Sequence, residues 1–333
     1  MMRRGLRRIR LPRHVMPLMA AAVALLLFAL VLRSVDLAQL TRSAAALPPQ
    51  VWLATLAGAF ASFGLRAARL WLEWRSRARV DYRSCLRLFL LHNAAVAWLP
   101  LRSGEAVYPW WLHRRWQVPL HDAAASLLWL RLQDALVLGA LTLACFGPGS
   151  IGTSTLLAVL LSLLALTLGA RLQSNGLARW DRAMQAASST QTPAPARAFT
   201  RHADRLLQAS RASRGGRLAW CCCLANWLIK LAAVAWLLGA LAGLPGGDAW
   251  RGAIAGEWAA VLPLHGPAGL GPYEAGIWLG ATVHDPAGAL PWAELTGAAL
   301  LAHLCWLLAA ALGAAGALLL DPLPKTPRPR TLP

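Results

Sequence analysis

Apolar residues fall into long, nearly uninterrupted runs along this chain, separated by short stretches rich in Arg, Pro and Gly. A bilayer core about 30 Å thick takes roughly 20 apolar residues as helix. Six runs meet or approach that length: Val15–Leu32, Gln50–Leu72, Asp122–Phe146, Thr153–Arg171, Leu218–Leu244 and Trp292–Leu320. Each predicts a full span. Two further apolar regions, Cys85–Trp116 and Trp250–Val283, are broken near the middle by Pro and Gly, leaving halves of 11 to 15 residues. Such halves reach only roughly 16 to 22 Å as helix, too short to cross untilted. Broken backbone at membrane depth is tolerated where protein or a water-filled cavity satisfies the freed amides and carbonyls, so these regions predict re-entrant hairpins lining a site. Two pairs of kinked or tilted spans are the alternative.

The pattern therefore predicts an all-α fold, a polytopic integral membrane helix bundle of about six full spans and two re-entrant or broken helical hairpins. A basic N-terminus, 1–14, precedes a transmembrane domain over 15–320 that carries a basic loop at 172–216, and a Pro-rich tail occupies 321–333. The run Val15–Leu32 is longer than a usual signal-peptide core, and no small-x-small site follows closely, so it reads as an uncleaved first span.

Composition agrees, with 57% hydrophobic and 14% charged residues among 333. The net charge of +19 does not indicate nucleic acid, because the Arg residues lie between apolar runs instead of on one soluble surface. They set orientation. Placing Arg3 to Arg13, the stretch Arg75 to Arg87, Arg114, Arg115, the loop Arg171 to Arg217 and the tail on one side gathers most Lys and Arg there. By the positive-inside rule that side is the cytoplasm, with both termini in it, at a bacterial cytoplasmic membrane. The basic loop suits anionic headgroups or, equally, a solvated connector. The six Cys lie within or at the ends of apolar stretches without metal-ligand spacing and read as packing residues; no metal site is expected.

The two breaks echo each other. Leu99-Pro100-Leu101-Arg102-Ser103-Gly104-Glu105 matches Leu262-Pro263-Leu264-His265-Gly266, followed by Gly269, Gly271 and Glu274. The predicted topology inverts one against the other, and interrupted segments in corresponding positions of two halves point to a midplane binding site. Pro100, Gly104, Pro263, Gly269 and Gly271 form the hairpin backbone in this reading. Ionisable residues at bilayer depth are costly and so are functional candidates. Arg102, Glu105, Arg131, Asp134, His265 and Glu274 are the candidate substrate-binding residues. Glu105 and Glu274 each open a short helix, where capping is the plain account. Arg131 and Asp134 share a helix face and suit an intrahelical pair. Asn226, Lys230 and Glu257 are further interior polar positions. Arg66, Arg69 and Glu73 sit near a span end, where Arg69 and Glu73 are spaced for an ion pair and snorkelling is the favoured account. No hydrolase, zinc-protease, nucleotide-binding or dinucleotide-binding motif occurs, so no catalytic residue and no cofactor is expected.

Asn93 with Leu99 to Glu105, Arg131-Leu132-Gln133-Asp134, and Leu262-Pro263 through Gly269 to Glu274 together resemble the flippase-like membrane region of lysylphosphatidylglycerol synthases and its stand-alone relatives. The likeness covers nearly the whole chain. It departs at Tyr108 and Leu130, where that family often has Arg and Glu. The resemblance implies translocation or handling of a phospholipid or lipid-linked molecule across the cytoplasmic membrane. In the synthases aminoacyl transfer belongs to a soluble domain after the membrane region, and only 13 residues follow Leu320, so that reaction is not expected of this chain. The expected partner is a membrane lipid, anionic or lipid-linked, with a lipid-biosynthesis enzyme as a candidate protein partner. Two other readings stay open: a non-catalytic scaffold or regulator of a lipid-modifying enzyme, and an intramembrane lipid transferase using Glu105 or Asp134 as base.

Overall fold

The computed structural model describes residues 36–75, 78, 80–147, 216–261, 267–284 and 292–319, together with Ala29 and Arg33. Among the described residues the chain forms nine α-helices and two 3-10 turns, with no strand. In chain order they are α1 (Leu37–Ala46), α2 (Pro49–Trp74), α3 (Tyr82–Trp98), a turn (Pro100–Ala106), α4 (Val107–Trp116) and α5 (Leu120–Phe146). Then come α6 (Gly216–Ala242), α7 (Gly246–Val261), a turn (Pro267–Gly269), α8 (Pro272–Thr282) and α9 (Trp292–Leu319).

Four helices, α2, α5, α6 and α9, are long and apolar enough to cross a membrane. They coincide with four of the six predicted spans. The other two, 15–32 and 153–171, lie outside the described residues, as do the basic loop up to Gly216 and the tail. Outward positions such as Leu53, Leu143, Trp236 and Leu318 are exposed apolar side chains, as faces solvated by acyl chains require.

The broken regions form two helix pairs. The first joins the 17-residue α3 to the 10-residue α4, and the second joins the 16-residue α7 to the 11-residue α8. At 1.5 Å per residue these helices run roughly 15 to 26 Å, all short of a 30 Å core. The local chemistry explains the breaks. Asp81 caps α3 by accepting the Ser84 N–H at 3.2 Å, and Pro100 holds Leu99 extended (φ −83°, ψ 138°) and so stops α3. At the second break Gly271 takes φ 99°, closed to L side chains, and Pro272 then opens α8.

Each pair closes on glycine. A Cβ at Gly104 would lie 2.2 Å from the Ala95 carbonyl carbon, so the first turn rests directly on the α3 backbone. Gly276 and Gly280 do the same for α8 on α7, where a Cβ would meet the carbonyl oxygens of Ala255 at 2.7 Å and Arg251 at 2.3 Å. With Gly252 and Gly256 facing them from α7, this is the small-xxx-small packing of membrane helices.

Two apolar clusters organise the rest. One gathers Leu138, Leu231, Ile254, Ile277 and Ala299 around the second pair, and the other gathers Leu70, Trp74, Leu88, Tyr108 and Leu112 around the first. Polar side chains collect where these clusters meet.

Candidate functional site

The two turns touch each other, and beside them opens a cavity of about 390 Å³ lined by residues of α2 to α9 and both turns. A volume of this size falls within the range of small-molecule sites. Its lining is unusual for a bundle of apolar helices. Arg66, Arg69, Arg131 and Lys230 face Glu105, Asp134 and Glu257, with His92 and His303 nearby.

Asp134, on α5, is the hub. Its Oδ1 accepts from Arg69 Nη1 at 2.7 Å, from the Trp227 indole at 3.2 Å and from the Cys223 thiol at 3.4 Å. Its Oδ2 accepts from Arg69 Nη2 at 3.2 Å, which makes a two-pronged carboxylate–guanidinium pair of the kind that fixes both groups. Arg69 also donates to the Leu130 carbonyl at 3.2 Å. Arg69 is 5% exposed and Asp134 7%, so the pair is buried between α2 and α5. Arg69 therefore does not snorkel: a carboxylate on the facing helix meets it inside the bundle. Of the adjacent Cys221, Cys222 and Cys223, the last points its thiol at this carboxylate.

Arg131 lies one turn before Asp134 but reaches mainly elsewhere. Its Nη2 donates to Glu105 Oε1 at 2.7 Å, while its Nη1 stands 3.7 Å from Asp134 Oδ2. Glu105 belongs to the first turn, and His92 on α3 stands 3.7 Å from its other oxygen. Arg131 thus ties a long helix to the break. Lys230 on α6 and Glu257 on α7, both read from sequence as interior positions, meet at 2.5 Å. Asn226, fully buried, accepts from Ser62 at 2.6 Å and from Arg66 Nε at 3.1 Å.

Glu274 sits just behind the lining. One oxygen accepts the Gly271 N–H at 2.6 Å and the other meets His303 Nδ1 at 2.7 Å, so it both caps α8 and ties that helix to α9. The structure thus brings Glu105, Arg131 and Asp134 together at the cavity and places Glu274 one layer behind it. Arg102 lies on the first turn, and the described residues stop short of its side chain; His265 and Pro263 are outside them. Gly269 lines the cavity floor beside Ala268.

The family model for the lysylphosphatidylglycerol synthase TM region matches residues 18–313. The chain belongs to that family. It is accordingly a multi-pass helical membrane protein of a lipid-related family, and every residue of the cavity lies inside the matched segment. No curated protein and no solved structure matches the chain.

Sequence reading missed several parts of this family member's site. Trp227, Tyr273, Trp306 and His303 all line the cavity, as does Arg66. Aromatic residues inside apolar helices carry no periodic signal that separates a cavity wall from a packed core. Arg66 and Arg69 did carry one: they share a helix face more than a turn inside α2, too deep for both to reach the interface freely.

The set is suited to binding, because the lining carboxylates are engaged by cations and, at Asp134, by an indole and a thiol. Among the described residues no group of three His, Cys, Asp or Glu could hold a metal ion.

Proposed function

We propose that the chain translocates or handles a phospholipid or lipid-linked molecule, taking the polar headgroup into the cavity while the acyl chains remain in the surrounding lipid. The observation that carries this reading is a charge-lined chamber of about 390 Å³ inside helices whose outer faces are apolar. Charges in a bilayer cost several kcal/mol unless paired or hydrated, so a cluster of them held open around a cavity is maintained for an occupant. Family membership supports a lipid as that occupant.

In this reading the two broken helix pairs are re-entrant hairpins of opposite orientation whose turns meet at the cavity, with both termini in the cytoplasm. Arg102, on the first turn, and His265 join Glu105, Arg131 and Asp134 as headgroup contacts. The test is a reconstituted-vesicle assay with fluorescent phospholipids of several headgroup types. Wild type is expected to speed leaflet exchange of at least one of them, and Glu105→Ala or Arg131→Ala to slow it by at least tenfold. Exchange no faster than in protein-free vesicles for every lipid would end this reading.

A further inference from the structure

Three of the four cations on the cavity wall are matched by carboxylates: Arg69 by Asp134, Arg131 by Glu105 and Lys230 by Glu257. Arg66 is the remainder. Its Nε donates to the neutral Asn226 amide oxygen at 3.1 Å, and its guanidinium lies 5.4 Å over the Trp227 ring. Among the described residues neither of its Nη atoms takes a hydrogen bond, and no carboxylate lies within ion-pair distance. Glu274 does not alter this balance at the lining, because the Gly271 N–H and His303 engage it within the α8 cap.

The neighbours of Arg66 are themselves fixed. Ser62 donates to Asn226 at 2.6 Å, and Trp227 donates to Asp134 at 3.2 Å. The guanidinium is thus held by one edge and one face, which leaves the Nη fork directed at the cavity. Lys230 packs over the same indole at 5.5 Å, and only one of its three donors is engaged by Glu257. A cation held this way in a low-dielectric chamber is stabilised by an incoming anion, and a planar fork suits an oxyanion. The described lining carries four cations and three carboxylates, an excess of positive charge that favours an anionic occupant.

We propose that Arg66, with Lys230 beside it, is an oxyanion receptor, and that the headgroup taken into this cavity carries an anionic phosphodiester without a balancing cation. The inference rests on the reading of the cavity as a lipid-headgroup site. It assigns Arg66 the contact with the phosphoryl oxygens and Lys230 a supporting one. Zwitterionic headgroups are disfavoured, because their cation would enter beside Arg66, Lys230 and Arg131.

The test is equilibrium binding of fluorescent phosphatidylglycerol and phosphatidylcholine to the purified full-length protein, for wild type, Arg66→Gln and Arg66→Lys. Wild type is expected to hold phosphatidylglycerol about tenfold tighter, the size of one charge-assisted contact. Arg66→Gln should reduce that preference to twofold or less by weakening phosphatidylglycerol more than phosphatidylcholine, and Arg66→Lys should keep part of it. Equal wild-type affinity for the two lipids, or an intact preference in Arg66→Gln, overturns the proposal. Displacement of phosphatidylglycerol by millimolar inorganic phosphate would keep the receptor and make a free anion its occupant. Persistence of the lipid under the same phosphate would assign the receptor to the lipid phosphodiester. Preference for phosphatidylglycerol without any leaflet exchange would sink the transport reading alone, whereas exchange of both lipids at equal rates and affinities would sink the receptor alone.

Discussion

Replacing Gly104 by Ala adds a single methyl group at the point where the first turn rests on α3. That Cβ would lie 2.2 Å from the Ala95 carbonyl carbon, 2.3 Å from its oxygen and 2.4 Å from the Val96 nitrogen. Ordinary contact begins at 3.4 Å, and all three atoms are backbone inside a helix, so no rotamer change relieves the clash. The turn must lift by about 1 Å. Overpacking of this kind costs typically 1–3 kcal/mol. The displacement also reaches the cavity, because the next residue, Glu105, holds Arg131 at 2.7 Å. Charge-assisted bonds weaken steeply beyond about 3.2 Å, so the link between the turn and α5 should be lost with it. Gly104→Ala is therefore expected to lower thermal stability in detergent by several degrees and to cut leaflet exchange at least tenfold. Gly139→Ala is the control: nothing lies within 4 Å of its added Cβ, and helix propensity favours Ala by about 1 kcal/mol. If Gly104→Ala matched wild type in both stability and exchange, the turn would not be seated on α3 as described, and the derived link from glycine to Glu105 to Arg131 would be refuted.

Two further substitutions test other contacts. Asp134→Asn keeps a hydrogen-bonding group but leaves Arg69, 5% exposed, without its counter-charge; breaking a buried pair this way costs about 3–5 kcal/mol, and a denaturant titration of the purified protein should show most of that loss restored when Arg69→Met is combined with Asp134→Leu. Gly280→Val places a branched side chain where even a Cβ would meet the Arg251 carbonyl oxygen at 2.3 Å, so α8 must part from α7; crosslinking between cysteines introduced on the two helices should fall, and unchanged crosslinking would contradict the close packing of this pair.

Much of this architecture was legible in the sequence because the signals were of the kind hydropathy carries. Runs of apolar residues located α2, α5, α6 and α9, and Pro with Gly located both breaks. Glu105, Arg131 and Asp134 were visible because a charge stands out in an apolar run. The partners of those charges were not visible, since pairing is decided across helices. Arg131 and Asp134 share a face of α5, which suggests a mutual pair, yet they stand 3.7 Å apart and each reaches a closer partner on another element. Spacing along one helix reports which groups are able to meet, and packing decides which do. Arg69 is the clearest case. Its position near a predicted span end suggested an escape to the interface, and only the placement of Asp134 opposite it shows that the charge is satisfied inside.

The distribution of contacts between the long helices and the broken pairs has a mechanical consequence. Within the second pair, α7 and α8 meet through glycine at backbone distance, and the first turn meets α3 in the same way. Contacts of that kind have no side chain to rearrange, so each pair is stiff. Three polar links from the pairs to the long helices involve carboxylates: Glu105 to Arg131 on α5, Glu257 to Lys230 on α6, and Glu274 to His303 on α9, beside neutral bonds such as Trp258 to Thr142 and Tyr108 to Ser126 on α5. Each is one side-chain contact that an anion, a water or a neighbouring charge can replace. An oxyanion arriving at Arg66 stands among three such links, where it competes with Glu105 for Arg131 and with Glu257 for Lys230. Releasing either carboxylate removes one tie between a stiff unit and a long helix without unpacking the unit itself. In the proposed reading, binding of a headgroup and loosening of a break become one exchange of partners.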